Sequence, residues 1–395
     1  NVQGIHTRLT PSMESKGKNT NFSANTNLKH KFNSSGKEMS FDIDYAGYRS
    51  TNFQDFTNVY DYSSGSGETT FHKMNQPTDI NIVSAKLDFV MPTASKVKLD
   101  FGAKSGYVFT DNNFTFENKV GNNWVPDQSK SNHFKYKEFI NALYINAGYQ
   151  YKKWMFQGGL RAEHTHSDGT LLTLVSGESV KPVKRSYLNL FPTLFANHNI
   201  NDNHSIRYSY SRRIDRPNYQ QLNPFYFFLD PYTYQVGNPF LNPQFTNSYE
   251  VTYTLKQQYS VALSHADTRD VMMQILDQDD EIKVGYQTER NMGRMKNYSA
   301  NFSVPVNPAK WWNMHNSFNL YYNKFEDGNV SGIAYNKGQV AYNIYSGNNF
   351  TLKNSWALEA SMWYNSPQLF GIIELTKPQY AINAGVQKSF LDKKA

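Results

Sequence analysis

The 395-residue chain contains no cysteine, and no stretch of it comes near 18 consecutive apolar residues. The lack of cysteine excludes a disulfide scaffold and zinc–thiolate sites. The lack of a long apolar run excludes a transmembrane helix, which needs about 20 such residues. A membrane-spanning β-barrel stays open, because its strands need an apolar residue only at every second position and its mean hydropathy stays low.

Two further features are missing. The first residues, NVQGIHTRLT, lack the charged start and apolar core of a signal peptide, so we expect either a mature chain or a piece of a longer one. The net charge is +7 with a pI near 9.1, but the Lys and Arg residues are scattered. A nucleic-acid partner is therefore not predicted, since such a surface needs a basic patch.

Aromatic residues are abundant, at 15% with 28 Tyr and 27 Phe, although hydrophobic residues make up only 39% and the mean hydropathy is −0.67. The dominant pattern has a period of two. In VSAKLDFVM, Val83, Ala85 and Leu87 share one face while Ser84 and Lys86 share the other. Such alternation is typical of β-strands, and no segment shows a convincing helical period.

The spacing of the turns indicates the architecture. Consecutive tight turns are about 40 to 60 residues apart, with two strands and a longer polar loop between them; they lie near Ser35, Ala94, Lys152, Asp202, Gln258, Pro308, Asn349 and Asp392. Short turns at one end and long loops at the other are typical of a transmembrane barrel. We predict an all-β, antiparallel up-and-down transmembrane β-barrel domain over residues 1–395, with roughly 15 strands.

Aromatic rings near the tight turns agree with this architecture, because barrels carry aromatic girdles at the membrane interfaces. The rings in question are Tyr149, Tyr151, Trp154, Trp311, Trp312 and Trp356. A soluble sandwich or β-helix would space its strands about 8–12 residues apart. A propeller would show one repeat motif per blade, and none is present.

One long segment, residues 211–245, interrupts the alternation and is rich in proline and aromatic residues. It closely resembles the barrel of TonB-dependent receptor-like outer membrane proteins of the Bacteroidetes type. After Arg213, the matching motifs are Arg216-Pro217-Asn218-Tyr219, Leu222-Asn223-Pro224, Asp230-Pro231-Tyr232-Thr233-Tyr234 and Gly237-Asn238-Pro239-Phe240-Leu241-Asn242-Pro243. The chain departs from the family at Gln244, where Glu is usual, and at Asn242, where Lys is common.

The resemblance implies a bacterial outer membrane receptor of about 22 strands around an N-terminal plug domain. This chain would then be part of the barrel, and the plug domain and the terminal strands would belong to other parts of the full-length receptor. The implied function is import of a nutrient ligand that the extracellular loops capture. The implied partners are outer membrane lipid, the TonB complex through an N-terminal region, a surface lipoprotein, and a small-molecule, glycan or peptide ligand.

The 211–245 segment has two interpretations. It could be a rigid extracellular gate that contacts ligand or a partner, or a loop that packs into the upper lumen and holds the barrel's shape. Proline stiffens a loop without strand pairing in either case. The residues that would serve as gate or ligand contacts are Arg213, Arg216, Tyr219, Asn223, Asp230, Tyr232, Tyr234 and Asn238.

Other candidate sites are weaker. We expect inward charges that line the lumen at Asp42, Asp44, Arg161, Glu163, Arg207 and Glu250. His164, His166 and Asp168 are expected to form an exposed lip of the barrel, with metal binding as the alternative. Asp277, Asp279, Asp280 and Glu281 are expected to form a solvated hairpin tip, with calcium binding as the alternative. We predict no metal, no cofactor and no enzyme, because no catalytic motif stands in a convincing context.

Two other functions remain open on the sequence. One is a passive porin or structural barrel of the outer membrane, which would conduct steadily once reconstituted. The other is a soluble secreted β-protein that binds carbohydrate.

Overall fold

Alternating residues form strands because successive side chains of a strand point to opposite faces of the sheet. The computed structural model describes residues 7–63, 65, 67–93, 97–173, 182–224, 226–230, 232–279, 284–330, 333–370 and 374–390. In this part of the chain the elements are β1 (Thr7–Lys31), β2 (Glu38–Tyr62), β3 (Gly67–Pro92), β4 (Val97–Val120), β5 (Asn123–Pro126), β6 (Asn132–Tyr151), β7 (Trp154–Thr173), β8 (Val183–Asn201), β9 (His204–Asp215), α1 (Tyr219–Leu222), β10 (Tyr226–Asp230), β11 (Thr233–Val236), β12 (Gln244–Leu255), β13 (Tyr259–Asp279), β14 (Val284–Ala309), β15 (Trp312–Val330), β16 (Ile333–Thr351), β17 (Trp356–Asn365), β18 (Leu369–Phe370), β19 (Glu374–Leu375) and β20 (Gln379–Lys388).

Fifteen of these described strands have ten or more residues. Each pairs antiparallel with the next long strand along the chain, in the order β1-β2-β3-β4-β6-β7-β8-β9-β12-β13-β14-β15-β16-β17-β20. The up-and-down arrangement and the strand count of the sequence prediction are therefore confirmed. No helix among the described residues is long and apolar enough to cross a membrane.

Among the described residues, several polar stretches that we predicted as loops instead continue the strands. VFTDNNFTFENKV lies in β4, and His164, His166 and Asp168 lie inside β7. β2 has 25 residues, whereas a tilted strand crosses the hydrocarbon in about 9–11. The remaining residues extend beyond the membrane, where both faces can be polar and the apolar alternation is lost.

The tight turns fall near their predicted places at Ser35, Lys152, Asp202 and Gln258. The other two described turns lie two to six residues later than predicted, at 310–311 and 353–355, and Pro308 is inside β14 and Asn349 inside β16. The β14–β15 ladder shifts register between Val306 and Ala309, and this irregularity accommodates the proline. The turns expected near Ala94 and Asp392 lie outside the described residues.

One face of the sheet, here called the outer face, exposes large apolar side chains. Leu143 is 68% exposed and Leu188 is 67% exposed. The same face carries Leu160, Leu190, Leu194, Val251, Leu263, Leu320, Val340 and Ile382, all exposed. Covering this much apolar surface with hydrocarbon instead of water is favourable by about 25 cal/mol per Å², so the outer face fits lipid.

Aromatic rings cluster beside the tight turns, as predicted. Tyr149 and Tyr151 stack at 6.4 Å, Trp154 stacks on His198 at 4.1 Å, and Trp312 lies 5.6 Å from Phe350. Rings with a wet edge suit a membrane interface. This girdle marks the end of the apolar band on the turn side of the sheet.

The opposite face, here called the inner face, is polar. The register aligns Asp42 with Lys86 and Lys86 with Lys104, and the Tyr144 hydroxyl donates to the Asp88 carboxylate. Buried apolar side chains on the inner face are concentrated near the strand ends remote from the tight turns, in clusters such as Phe56, Met74, Phe114 and Phe116. The hydrophobic core of the chain therefore lies at the mouth of the sheet rather than along its length.

Arginine at Leu263 should test the lipid-facing assignment. Leu263 is 57% exposed on the outer face and midway along the eleven positions from 259 to 269, so it lies near the bilayer centre. Leu263→Arg should lower the free energy of unfolding by about 2–4 kcal/mol, measured by guanidinium titration of the full-length protein in lipid vesicles. The matched control is Ala262→Arg on the inner face of the same strand, which should cost far less. Equal losses for the two variants would contradict the assignment.

Candidate functional site

Residues 216–243, here called the cross-lumen loop, join β9 to β12 and fold onto the inner face. Strand β11 of the loop pairs in parallel with the start of β14. At the loop's tip, Asp230 lines a cavity of about 160 Å³ together with Phe56 of β2 and His72 of β3. Eight long strands separate β2 from β14 in the sheet. A single loop can reach both β2 and β14 only because the sheet curls around it. The loop therefore crosses the lumen that the sheet encloses.

Arg216 anchors the start of the loop to β7. Its Nη2 lies 2.6 Å from Glu163 Oε2 and donates to Thr165 Oγ1 at 3.1 Å. Arg161 holds the other Glu163 oxygen at 2.5 Å. Burial alone would lower the pKa of the Arg216 guanidinium, but the Glu163 carboxylate outweighs it and the pKa is raised. The arginine therefore stays charged, and the arginine of the R-P-x-Y motif forms an ion pair with strand β7 of the wall.

The helical turn α1 fixes the next part of the loop. Asn218 and Gln221 form a capping box, with Gln221 N donating to Asn218 Oδ1 at 3.0 Å and Asn218 N donating to Gln221 Oε1 at 2.8 Å. Gln221 Nε2 also donates to the Glu289 carboxylate of β14 at 2.5 Å. Burial raises the pKa of the nearby Tyr219 hydroxyl, so it stays protonated.

The G-N-P-x-L-x-P segment is held from both sides. Asn238 N donates to Gln221 O at 2.6 Å, and Asn238 Nδ2 donates to Glu289 O at 3.0 Å. The guanidinium of Arg185 donates to the carbonyls of Leu241 and Pro239. Leu241 is fully buried, in a cluster with Leu222, Phe134 and Tyr136. The loop is therefore packed as a small core against β6.

Gly237 is required by a close approach of backbone. A Cβ there would lie 2.6 Å from Gln220 O and 2.8 Å from Gln221 O, and closer still to Asn223 O. These atoms belong to the turn of α1 and cannot give way as a flexible side chain could. The glycine lets the two ends of the loop touch.

The eight candidate gate residues do not form one group. Those half-buried or buried within the loop or against the wall are Arg216, Tyr219, Asn223, Tyr234 and Asn238. Tyr234 stacks on Tyr286 of β14 at 5.4 Å, and the Asp230 carboxylate accepts from Tyr232 N at 2.7 Å. Tyr232 is 47% exposed, and Arg213 is exposed on the inner face without an ion pair among the described residues.

The six predicted lumen charges all lie on the inner face, in varied surroundings. Asn25 Nδ2 donates to Asp44 at 2.6 Å and Asn27 Nδ2 to Asp42 at 2.5 Å. Arg161 and Glu163 are paired in the Arg216 site. Arg207 lies over the Phe195 ring at 5.5 Å, while Glu250 accepts from Thr252 Oγ1 at 3.0 Å. Arg207 and Glu250 point into the same lumen without contacting each other.

The candidate metal ligands do not converge. His164, His166 and Asp168 lie on the outer face; His164 Nε2 is 3.0 Å from Ser186 Oγ, and Asp168 pairs with Lys184 at 3.4 Å. Asp277 pairs with Arg290 at 3.1 Å, while Asp280 and Glu281 lie outside the described residues. Over the described ranges, no three His, Asp or Glu residues are arranged to hold a metal ion.

Three important contacts of the site were not predicted from the sequence. Arg185, Glu289 and Leu241 hold the loop, yet the first two lie in ordinary alternating strands. Their partners are more than 50 residues away along the chain. The inward position of Arg185 was readable from the alternation of β8, but its partner was not.

Comparison with known proteins agrees with this geometry. Residues 30–395 match the outer membrane protein beta-barrel family. No curated protein sequence shows a significant match to the chain. The sheet is similar to the ferric-catecholate import receptor Fiu from E. coli K12, with a TM-score of 0.54, 13% identity, and coverage of 89% of this chain and 57% of that one.

Two other solved structures are similar to the same degree. The ferric yersiniabactin uptake receptor FyuA from Yersinia pestis has a TM-score of 0.54 and 12% identity, over 89% of this chain and 54% of that one. The siderophore receptor PiuA from Acinetobacter baumannii has a TM-score of 0.54 and 10% identity, over 97% and 68%. The chain thus spans little more than half the length of the first two receptors.

The curled up-and-down sheet, the lipid-facing outer face and these similarities define a β-barrel of the bacterial outer membrane. The chain belongs to the outer membrane protein beta-barrel family, and its fold resembles that of the ferric-catecholate and ferric yersiniabactin receptors. The expectation of an outer membrane location is confirmed. The alternative of a soluble secreted protein is wrong, because the outer face exposes apolar side chains that need lipid.

Alanine at Gly237 should loosen the cross-lumen loop. The new Cβ would collide with backbone carbonyls, and such overpacking costs about 1–3 kcal/mol. Hydrogen exchange of residues 216–243 in the full-length protein should then be about tenfold faster. The control is Gly285→Ala, where nothing lies within 4 Å of the added Cβ. Unchanged exchange in the Gly237→Ala protein would refute the close-approach argument.

Arg216→Met should destabilise the protein by removing one of the two arginines that bind the Glu163 carboxylate. Glu163 is 8% exposed, and breaking such a pair costs about 2–4 kcal/mol. Guanidinium unfolding in vesicles measures the loss. Arg213→Met, on an exposed arginine of the same segment, should cost under about 0.5 kcal/mol. Adding Glu163→Gln to Arg216→Met should recover part of the stability, and equal losses for both arginine variants would contradict the anchor.

Proposed function

We infer that this chain is the wall and mouth of a TonB-dependent import receptor that takes up a nutrient ligand. The observation that carries the proposal is the cross-lumen loop, which is anchored to β7, β8 and β14 and reaches across to β2. A passive pore conducts best with an open lumen. A structure that narrows its own mouth fits a receptor that binds first and transports later.

The charges of the inner face support a polar route beneath the loop. Asp42, Asp44, Arg207 and Glu250 stand on the lumen side, and both signs are represented. Such a wall suits a ligand that carries several polar groups. Metal chelates, glycans, peptides and cobalamin-like molecules all meet this description. A polar route through the barrel suits the passage of a ligand, so we propose transport rather than an enzymatic reaction.

The partners follow from the same proposal. A plug domain would fill the lumen, and the TonB complex would act on it through an N-terminal region. A surface lipoprotein would meet the extracellular side, where the loop exposes Tyr232 and Phe240 at 47% and 73%. The import receptors to which the fold is similar lend support at the level of architecture.

Two measurements on the full-length protein test the proposal. In planar bilayers it should give no steady conductance, whereas a passive porin would. A strain lacking the gene should fail to grow in one of four media. Each medium provides one essential nutrient only as a ferric chelate (iron), an oligosaccharide (carbon), a peptide (nitrogen) or a corrinoid. Growth should return with the gene and be lost with a protonophore or without TonB. Steady conductance together with TonB-independent uptake would establish the porin alternative.

The two interpretations of the loop, ligand contact and support of the barrel's shape, depend on different residues, so variants can distinguish them. Tyr232→Ala and Phe240→Ala remove exposed rings and leave the anchors in place. If the loop contacts ligand, these variants should raise the apparent KM for uptake about tenfold, with hydrogen exchange of residues 216–243 unchanged. If the loop only holds the barrel's shape, only the anchor variants at Arg216 and Gly237 will reduce uptake.

A further inference from the structure

A groove of about 520 Å³ lies on the outer face between β7 and β13. Its floor is apolar and consists of Leu160, Leu190, Pro192 and Tyr210. Leu160 and Leu190 are 45% and 48% exposed. The floor is continuous with the lipid-facing band, so acyl chains can enter the groove from the side.

Two arginines stand at the far end of this groove. The guanidinium of Arg212 lies 5.1 Å from the centre of the Phe245 ring, and Phe245 faces Arg269 directly in the β12–β13 register. Arg212 of β9 and Arg269 of β13 thus stand on the two strands that flank Phe245, and all three residues line the groove. Among the described residues neither arginine forms an ion pair, whereas the neighbouring Arg294 is bound by both oxygens of Asp267.

Among the described residues that line the groove, Asp270 is the one carboxylate. It lies where the β13–β14 register skips a residue, between the Arg269 and Val271 pairs, and its φ is 54°. The groove therefore carries two positive charges and one negative charge. A net positive end on an apolar floor is complementary to a lipid with an anionic head.

The depth of the arginines in the membrane follows from strand length. Positions 204–212 of β9 number nine and positions 259–269 of β13 number eleven, both counted from the tight turns. A tilted strand crosses the hydrocarbon core in about 9–11 residues. Short turns of such barrels face the periplasm. Arg212 and Arg269 therefore lie at the headgroup level of the outer leaflet.

We propose that this groove is a binding site for a phosphate-bearing lipid of the outer leaflet. The acyl chains lie along Leu160, Leu190 and Pro192, and the phosphate bridges Arg212 and Arg269. Guanidinium groups bind phosphate oxygens in a bidentate manner and are less strongly hydrated than lysine ammonium groups. Because the floor lies at hydrocarbon depth, the occupant must reach the groove from within the membrane, as the acyl chains of a lipid do and a soluble anion does not.

Native mass spectrometry of the full-length protein, purified in detergent, tests the site. The probes are bisphosphorylated lipid A, phosphatidylcholine and inorganic phosphate, each titrated separately. The wild-type protein should retain one lipid A molecule in preference to phosphatidylcholine. Arg212→Gln/Arg269→Gln should weaken lipid A binding about tenfold to thirtyfold, because each basic residue near the headgroups contributes to anionic lipid binding. Arg213→Gln, the next residue on the inner face, should bind as the wild type does.

Each other outcome overturns the proposal. Equal retention by the double variant and the wild type would exclude the two arginines as the site. An equal loss in Arg213→Gln would indicate a general charge effect. Binding of phosphatidylcholine as tight as lipid A would mean an unspecific apolar groove, and binding of inorganic phosphate alone would mean a soluble anion site. Resistance of the unboiled double variant to unfolding on a gel checks that the barrel is intact.

Discussion

The structure depends on the pairing of backbone N–H and C=O groups across long antiparallel strands. Hydrocarbon offers these groups no hydrogen-bond partner, so a membrane-crossing sheet must satisfy them from strand to strand. Each long strand here pairs with its neighbour along the chain, from β1 to β20. Because side chains alternate along every strand, this continuous pairing also produces two faces with different surroundings. One face is free to be apolar and the other to be polar.

The two faces are used in separate ways. On the outer face, Leu143, Leu188 and Leu263 are exposed, and the groove at Arg212 extends the same surface into the headgroup region. On the inner face, Arg216 of the loop contacts Glu163 of the wall. An irregular segment with many polar backbone groups can exist at this place because it lies inside the barrel, where wall residues and water satisfy it.

The cross-lumen loop has a small core of its own. Leu222 and Leu241 pack on Phe134 and Tyr136, and Arg185 and Glu289 bind groups of the loop. The motif residues thus act mainly as anchors, while Tyr232 and Phe240 remain exposed. Because the motif residues fix the loop to the wall, the exposed rings of Tyr232 and Phe240 are held in defined positions.

The sequence by itself determined the up-and-down sheet, the number of long strands and the face on which each charge lies, since all three follow from alternation and turn spacing. It did not determine where the strands end, because paired strands such as β4 continue through polar residues once they leave the membrane. The partners of Arg216 and Gln221 are 53 and 68 residues away, and His164 turned outward instead of joining a metal site. Only the tertiary structure decided these contacts, because they depend on the curvature that brings distant strands around one loop.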